Sequence, residues 1–251
     1  MESLFIKNRK GQNISVDLSR SANQKALAFV MPGLGNIKEE IHIQTFVESF
    51  LTKDFTVVTF DVTNGVGQSD GDYSQATFTG YYNDLVDVIT WAKSQDWYQE
   101  PFVLLGHSMG GGCILRYAAD QPKKVFGLAP ISTVIGGHQT LAKFGRDDLP
   151  ATKIEKGKKI IKKIDWEPFE KDILQYDIVP EAHKFVMPVL MMVGENDRGT
   201  PLEDQIKLYE GLPGDKEIHV IKNAPHTFVE AKHLAEIKEI FHNWIDTKIL
   251  K

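Results

Sequence analysis

Residues 101–120 read PFVLLGHSMGGGCILRYAAD. An apolar run over 101–106 ends at a serine flanked by glycines, and a helical run over 109–120 begins directly behind it. Ser108 therefore falls on a sharp turn between a strand and a helix. Side chains two positions before and two after it would collide with neighbouring backbone, so Gly106 and Gly110 stand there. The helix N-terminus offers N–H groups and the positive end of a dipole to developing negative charge. Gly111 and Gly112 ease close packing of that helix on a sheet. As a plain turn the motif would carry an incidental serine. The strand before it and the helix after it argue instead for a nucleophile held up at a strand end.

The same rhythm extends in both directions. Residues 3–8 and 13–18 read as strands around a hairpin at Lys10–Gly11. Further apolar runs at 25–31, 55–61, 125–130, 187–194 and 217–221 suit strands buried on both faces of a parallel sheet. Helical patterns lie between them, at 37–51, 79–94, 201–209 and 229–248. The first has Asn36 as its expected N-cap and Glu39 at its third position. Alternation of this kind implies right-handed βαβ crossovers and a three-layer α/β fold with a mostly parallel sheet.

The rhythm stops between residues 136 and 185. The chain accordingly divides into a first core part, 1–135, an insertion over one end of the sheet, 136–185, and a second core part, 186–251. Between Lys153 and Lys163 the insertion carries six lysines and one glutamate. Ile154, Ile160, Ile161 and Ile164 fall roughly on one helical face, which predicts a solvated lysine face over packed isoleucines. Gly157 leaves a β-hairpin open, and an anionic-substrate or membrane patch is the competing reading of the lysines.

Composition narrows the function. With 42% hydrophobic and 25% charged residues the chain is ordinary for a globular protein, and 251 residues can bury a sizeable core. A net charge of −5 argues against nucleic acid as a partner, because phosphate contacts need clustered Lys and Arg. The single cysteine, Cys113, allows neither an internal disulfide nor a cysteine-based zinc site. No signal-peptide pattern opens the chain and no run of eighteen apolar residues occurs, so a cytoplasmic protein with no integral membrane segment is expected. Nothing in the sequence bears on oligomeric state.

A serine hydroxyl is a poor nucleophile until a base takes its proton, and the base must itself be oriented. Eight histidines compete. His226 lies in NAPHTF, in a loop between the last strand and the last helix, where parallel strands bring their ends to one sheet edge. His219 falls inside a strand, His42, His233 and His242 on helices, and His138 and His183 in or beside the insertion. His107 adjoins the serine, but its side chain should point away, toward packing or substrate. The orienting acid is expected at Asp197 in VGENDRGTP, after another strand. Its competing role is capping the helix near Pro201. Glu195, the rival acid, sits at the strand end. An oxyanion would be held by the backbone N–H of Met109 and, by position in the PGLGN loop, that of Leu34.

Together these segments resemble the α/β-hydrolase superfamily, and within it small bacterial esterases and serine-aminopeptidase-like hydrolases such as cinnamoyl or feruloyl esterases and monoacylglycerol lipases. FDVTNGVGQSDG (60–71) is similar to the family's D-x-x-G-x-G-x-S-[DE]-G segment, GHSMGG to its elbow, VGENDRGTP to its acid loop and APHTF to its histidine loop. The order Ser108, Asp197, His226 matches the family's. One departure is Pro32–Gly33, where the family usually has His-Gly. The resemblance implies a hydrolase with neither metal nor organic cofactor, acting on a small-molecule acyl ester through Ser108, His226 and Asp197. It implies a lid at 136–185, where Phe144, Trp166, Phe169 and Tyr176 either line an acyl pocket or pack the lid onto the core. A thioesterase, amidase or C–C bond hydrolase would use the same triad, and a non-catalytic receptor on the fold is the third reading.

Overall fold

The computed structural model describes residues 1–155 and 158–251. Strands β1 (Glu2–Lys7) and β2 (Asn13–Ser19) form the expected antiparallel hairpin, and β2 pairs antiparallel with β4 (Phe55–Phe60). β3 (Ala26–Met31) lies parallel between β4 and β5 (Phe102–His107). After β5 come β6 (Val125–Ile131), then two strands outside the sheet, β7 (Ala151–Glu155) and β8 (Lys158–Lys162), then β9 (Val189–Gly194) and β10 (Lys216–Ile221). The central sheet runs β1-β2-β4-β3-β5-β6-β9-β10, and all its neighbours beyond β4 are parallel.

Continuous apolar runs make these strands because both sheet faces are covered. In β3, Leu27, Phe29 and Met31 join one core, while Ala26, Ala28 and Val30 join the other. On one face α1 (Ile41–Leu51) packs beside α7 (Ala231–Trp244), burying Phe46 and Phe50 against Phe241. On the other face lie α2 (Phe78–Ala92), α3 (Met109–Asp120) and α6 (Leu202–Gly211).

One helix start differs from its sequence pattern. α1 begins at Ile41, not Ile37, and neither Asn36 nor its actual cap residue, Glu40, caps it through a side chain. Tertiary bonds take the intervening residues. The Lys38 N–H donates to Asp61 Oδ1 at 2.9 Å, and its side chain is buried beside Asp17 and Asp61.

Between β6 and β9 the chain forms α4 (Gly137–Lys143), the antiparallel pair β7 and β8, and α5 (Trp166–Ile173). The expected lysine helix over a packed isoleucine stripe is not formed. Ile154 and Ile161 are 60% and 62% exposed on the strand pair. Gly157, on which the hairpin alternative turned, lies outside the described residues. Tyr73 and Tyr176 hydroxyls donate to the Leu149 and Gly112 carbonyls, and the Thr79 N–H donates to Asp172, so the segment is stitched to the core at several points. Among the described residues no helix is long and apolar enough to cross a membrane.

Candidate active site

The turn between β5 and α3 places Ser108 at φ 55°, a strained conformation for a residue with a Cβ. Backbone bonds hold it there. The Ser108 N–H donates to the Ile131 carbonyl, and the Ser108 carbonyl accepts from Val134 N–H. The flanking glycines are sterically required. A Cβ on Gly106 would stand 2.4 Å from the Gly110 carbonyl oxygen, and one on Gly110 would stand 2.4 Å from that of Pro32.

Two loops bring the other two side chains to this turn. His226, in the loop between β10 and α7, has Nε2 3.0 Å from Ser108 Oγ and Nδ1 2.8 Å from Asp197 Oδ2. Asp197, in the loop after β9, is almost fully buried. Its Oδ1 accepts from the backbone N–H groups of Gly199 and Thr200, each at 2.9 Å, and its Oδ2 also accepts from the Thr200 hydroxyl. Burial pushes this carboxyl's pKa up, but the bonds from His226 and Thr200 outweigh it and hold it at about 2. An ionised Asp197 can only accept, so Nδ1 of His226 carries its proton and Nε2 is free to take one from Ser108. Asp197 is not the side-chain cap of α6. Glu195 is turned away and accepts from the Asn223 N–H.

His107 does point away from the serine. Fully buried, it has Nε2 2.9 Å from the His226 carbonyl oxygen; a carbonyl accepts, so Nε2 is the protonated nitrogen. Burial and the neighbouring His42 and His226 push its pKa well below the ordinary range, and the ring remains neutral. His107 thus ties the turn carrying Ser108 to the loop carrying His226. Thr200 and His107 are the positions whose place in the site single-residue reading missed. Thr200 lies in the quoted acid loop, three residues after the acid, a spacing that lets its N–H and hydroxyl curl back onto the carboxylate.

Above Ser108 and His226 opens a cavity of about 400 Å³. Leu34 and Met109 line it. Met109 is the first residue of α3, so its N–H has no intrahelical acceptor. A Cβ on Gly33 would stand 2.8 Å from Ser108 Cβ, so the loop that follows Pro32 passes directly over Ser108. Phe144 and Phe169 line the cavity together with Val134, Leu149 and Ile173. Trp166 and Tyr176 do not. The Tyr176 ring stacks on Phe78, with centroids 4.0 Å apart, and its hydroxyl is taken by Gly112. Trp166 borders a separate surface hollow with Arg146 and Asp147. Among the described residues no cluster of three His, Cys, Asp or Glu side chains is placed to hold a metal ion.

Comparison with known proteins adds to this geometry. The family model for serine aminopeptidase, S33, matches residues 22–164, more than half of the chain. Mitochondrial palmitoyl-protein thioesterase ABHD10 of Bos taurus is 26% identical over 183 residues, covering 66% of this chain and 56% of that protein's length. Among solved structures, Est1E from Butyrivibrio proteoclasticus with ferulic acid bound superposes with a TM-score of 0.83 at 19% identity, covering 99% of this chain and 100% of that one. Alpha/beta hydrolase domain-containing protein 10 from mouse gives a TM-score of 0.78 at 17% identity, covering 98% and 99%.

Proposed function

The chain belongs to the serine aminopeptidase S33 family of α/β-hydrolases, and we propose that it is a serine hydrolase cleaving a carboxylic ester through Ser108, His226 and Asp197. The observation that carries the reading is the unbroken series Ser108 Oγ, His226 Nε2, His226 Nδ1, Asp197 Oδ2, with links of 3.0 and 2.8 Å, at the base of an apolar-walled cavity.

In this mechanism His226 Nε2 takes the Ser108 proton as Oγ bonds to the carbonyl carbon. The carbonyl oxygen becomes an oxyanion, received by the N–H groups of Met109 and Leu34. His226 then gives the proton to the departing alcohol, leaving an acyl-enzyme. Water, deprotonated by the same imidazole, attacks that acyl group and releases the acid. Asp197 keeps Nδ1 protonated throughout and stabilises the imidazolium. Residues 136–185 act as a lid whose Phe144 and Phe169 receive the acyl chain. The pocket side chains match a small-molecule acyl ester.

The test is hydrolysis of p-nitrophenyl esters from acetate to palmitate, beside feruloyl esters, with Ser108→Ala as control. Activity that falls by about 10³ or more in Ser108→Ala is expected. Activity that survives the substitution sinks the serine mechanism. A thioesterase is the second reading, favoured by the curated relatives named as palmitoyl-protein thioesterases; palmitoyl thioesters in the same panel separate the two.

A further inference from the structure

The lysines and isoleucines of residues 153–163 take no part in the proposed chemistry, yet the strand pair β7–β8 gives those that fall on it an orientation. Its register sets Thr152 opposite Ile161 and Ile154 opposite Lys159. Directly opposed residues in an antiparallel pair share a face, as do alternate residues along one strand. Thr152, Ile161, Ile154 and Lys159 therefore form one face. Ile154 is 60% and Ile161 62% exposed, and Lys159 is exposed with them; Lys158, the first residue of β8, belongs by register to the other face but is exposed too. The opposite face begins at Ala151, which is buried.

This outward face is continuous with the mouth of the cavity, because Thr152 lines that cavity. Two further exposed apolar side chains stand beside other rim residues. Ile41, 53% exposed, follows the cavity-lining Glu40, and Val229, 55% exposed, lies two residues past the cavity-lining Thr227. Exposed large apolar residues gathered at an entrance mark an interaction surface. In sequence, six lysines stand against one glutamate between Lys153 and Lys163 in a chain of net charge −5; Lys162 and Lys163 pair with Asp72 and Asp147, and Lys158 and Lys159 are the exposed ones beside the isoleucines. Apolar side chains flanked by lysine suit a surface with an acyl interior and anionic headgroups.

We propose that the outer face of β7–β8, through Ile154, Ile161 and Lys159, with the exposed Lys158 at the start of β8, docks the cavity mouth on an anionic lipid surface. The isoleucines enter the headgroup–acyl boundary, and the lysines meet the headgroup charge. Ser108 then opens toward the membrane, and acyl substrates reach it from the lipid.

Co-sedimentation of the full chain with vesicles tests this, comparing phosphatidylglycerol–phosphatidylcholine mixtures with pure phosphatidylcholine. Binding to the mixed vesicles is expected, weakening with salt. Each lysine is expected to contribute a factor of about five to partitioning, so Lys158→Glu with Lys159→Glu lowers it by more than twentyfold. Ile154→Ser with Ile161→Ser lowers it by about tenfold or more. Both pairs are solvent-exposed and outside the catalytic groups, so hydrolysis of a short soluble ester stays at the wild-type rate. That control separates failure of docking from failure of the hydrolase reading. The proposal is overturned if mixed vesicles are not bound at low salt, or if binding is unmoved by both double variants. It is equally overturned if sedimentation velocity shows a dimer that Ile154→Ser with Ile161→Ser dissociates, since the face would then belong to a second copy of the chain.

Discussion

Replacing Lys38 by methionine keeps the length of the side chain and removes one charge from a place where charge is hard to lose. Lys38 is 1% exposed, with Nζ 3.3 Å from Asp17 and 3.8 Å from Asp61 and in contact with Glu39. Burial pushes the ammonium down, but Glu39, Asp61 and Asp17 together hold it above its ordinary value. Asp61 keeps accepting from the Lys38 and Gln68 N–H groups, and Asp17 from the Ser3 hydroxyl, so both carboxylates stay buried in Lys38→Met without their cation. Breaking a buried ion pair from one side costs about 3–5 kcal/mol. The sign of the pH dependence follows from Asp61, whose pKa is already raised, chiefly by burial. A raised carboxyl favours folding below its unfolded pKa, about 3.9, and loses that contribution as pH rises. Loss of Lys38 widens the shift, so the deficit of the variant opens as pH rises past the raised pKa of Asp61 in the wild type and is smaller below it. Urea unfolding at pH 7 and pH 4.5 measures it. A loss below about 1 kcal/mol at pH 7, or one that does not shrink on acidification, refutes the reasoning. The loop from Pro32 to Glu40 also carries Leu34, so kcat on a short ester should drop by up to about 10².

Other expectations are sharper on activity. Asp197→Asn leaves the packing in place but reverses the preferred tautomer of His226, so kcat should fall by about 10³–10⁴ with KM little changed; a loss of only a few-fold in steady-state kinetics would remove Asp197 from its role. His107→Leu deprives the His226 carbonyl of its donor and should lower kcat by about tenfold at similar KM. Glutamine at the same place restores part of it, and a fully active leucine variant would show that the bond does not position the base. Phe144→Ala widens the cavity wall beside Gly199, and the ratio of kcat/KM for long over short acyl chains should rise by about tenfold or more; an unchanged chain-length profile would place the acyl group elsewhere.

Much of the sheet was legible because its physics is local. A strand covered on both faces must be apolar at every position, so runs such as ALAFVM declare themselves without knowledge of their neighbours. The candidate site was legible for a related reason. A parallel sheet delivers its strand ends to one edge, so a serine, an acid and a histidine after different strands converge wherever their loops are short. What could not be read depends on partners distant in sequence. Asn36 and Glu39 present a good helix start, but Asp61 takes the Lys38 N–H and the helix waits until Ile41. Four aromatics of residues 136–185 looked alike, and only Phe78 and the Gly112 carbonyl withdraw Tyr176 from the cavity.

The lysine-rich stretch shows the limit most plainly. Ile154 and Ile161 are seven residues apart, which is two turns of a helix and therefore one helical face. The same two residues share a face of β7–β8, because cross-strand register brings Ile161 level with Thr152. One spacing satisfies both structures, and hydrophobic periodicity cannot choose between them. What separates them is Ile160, which a helix would place beside Ile161 on the apolar side and which the strand pair turns to the opposite face with Lys153. A helix would have packed its isoleucines against the core and left only lysines outside. The strand pair divides them, one face toward the protein and Ile154 and Ile161 toward solvent, so the surface at the cavity mouth becomes apolar and cationic together.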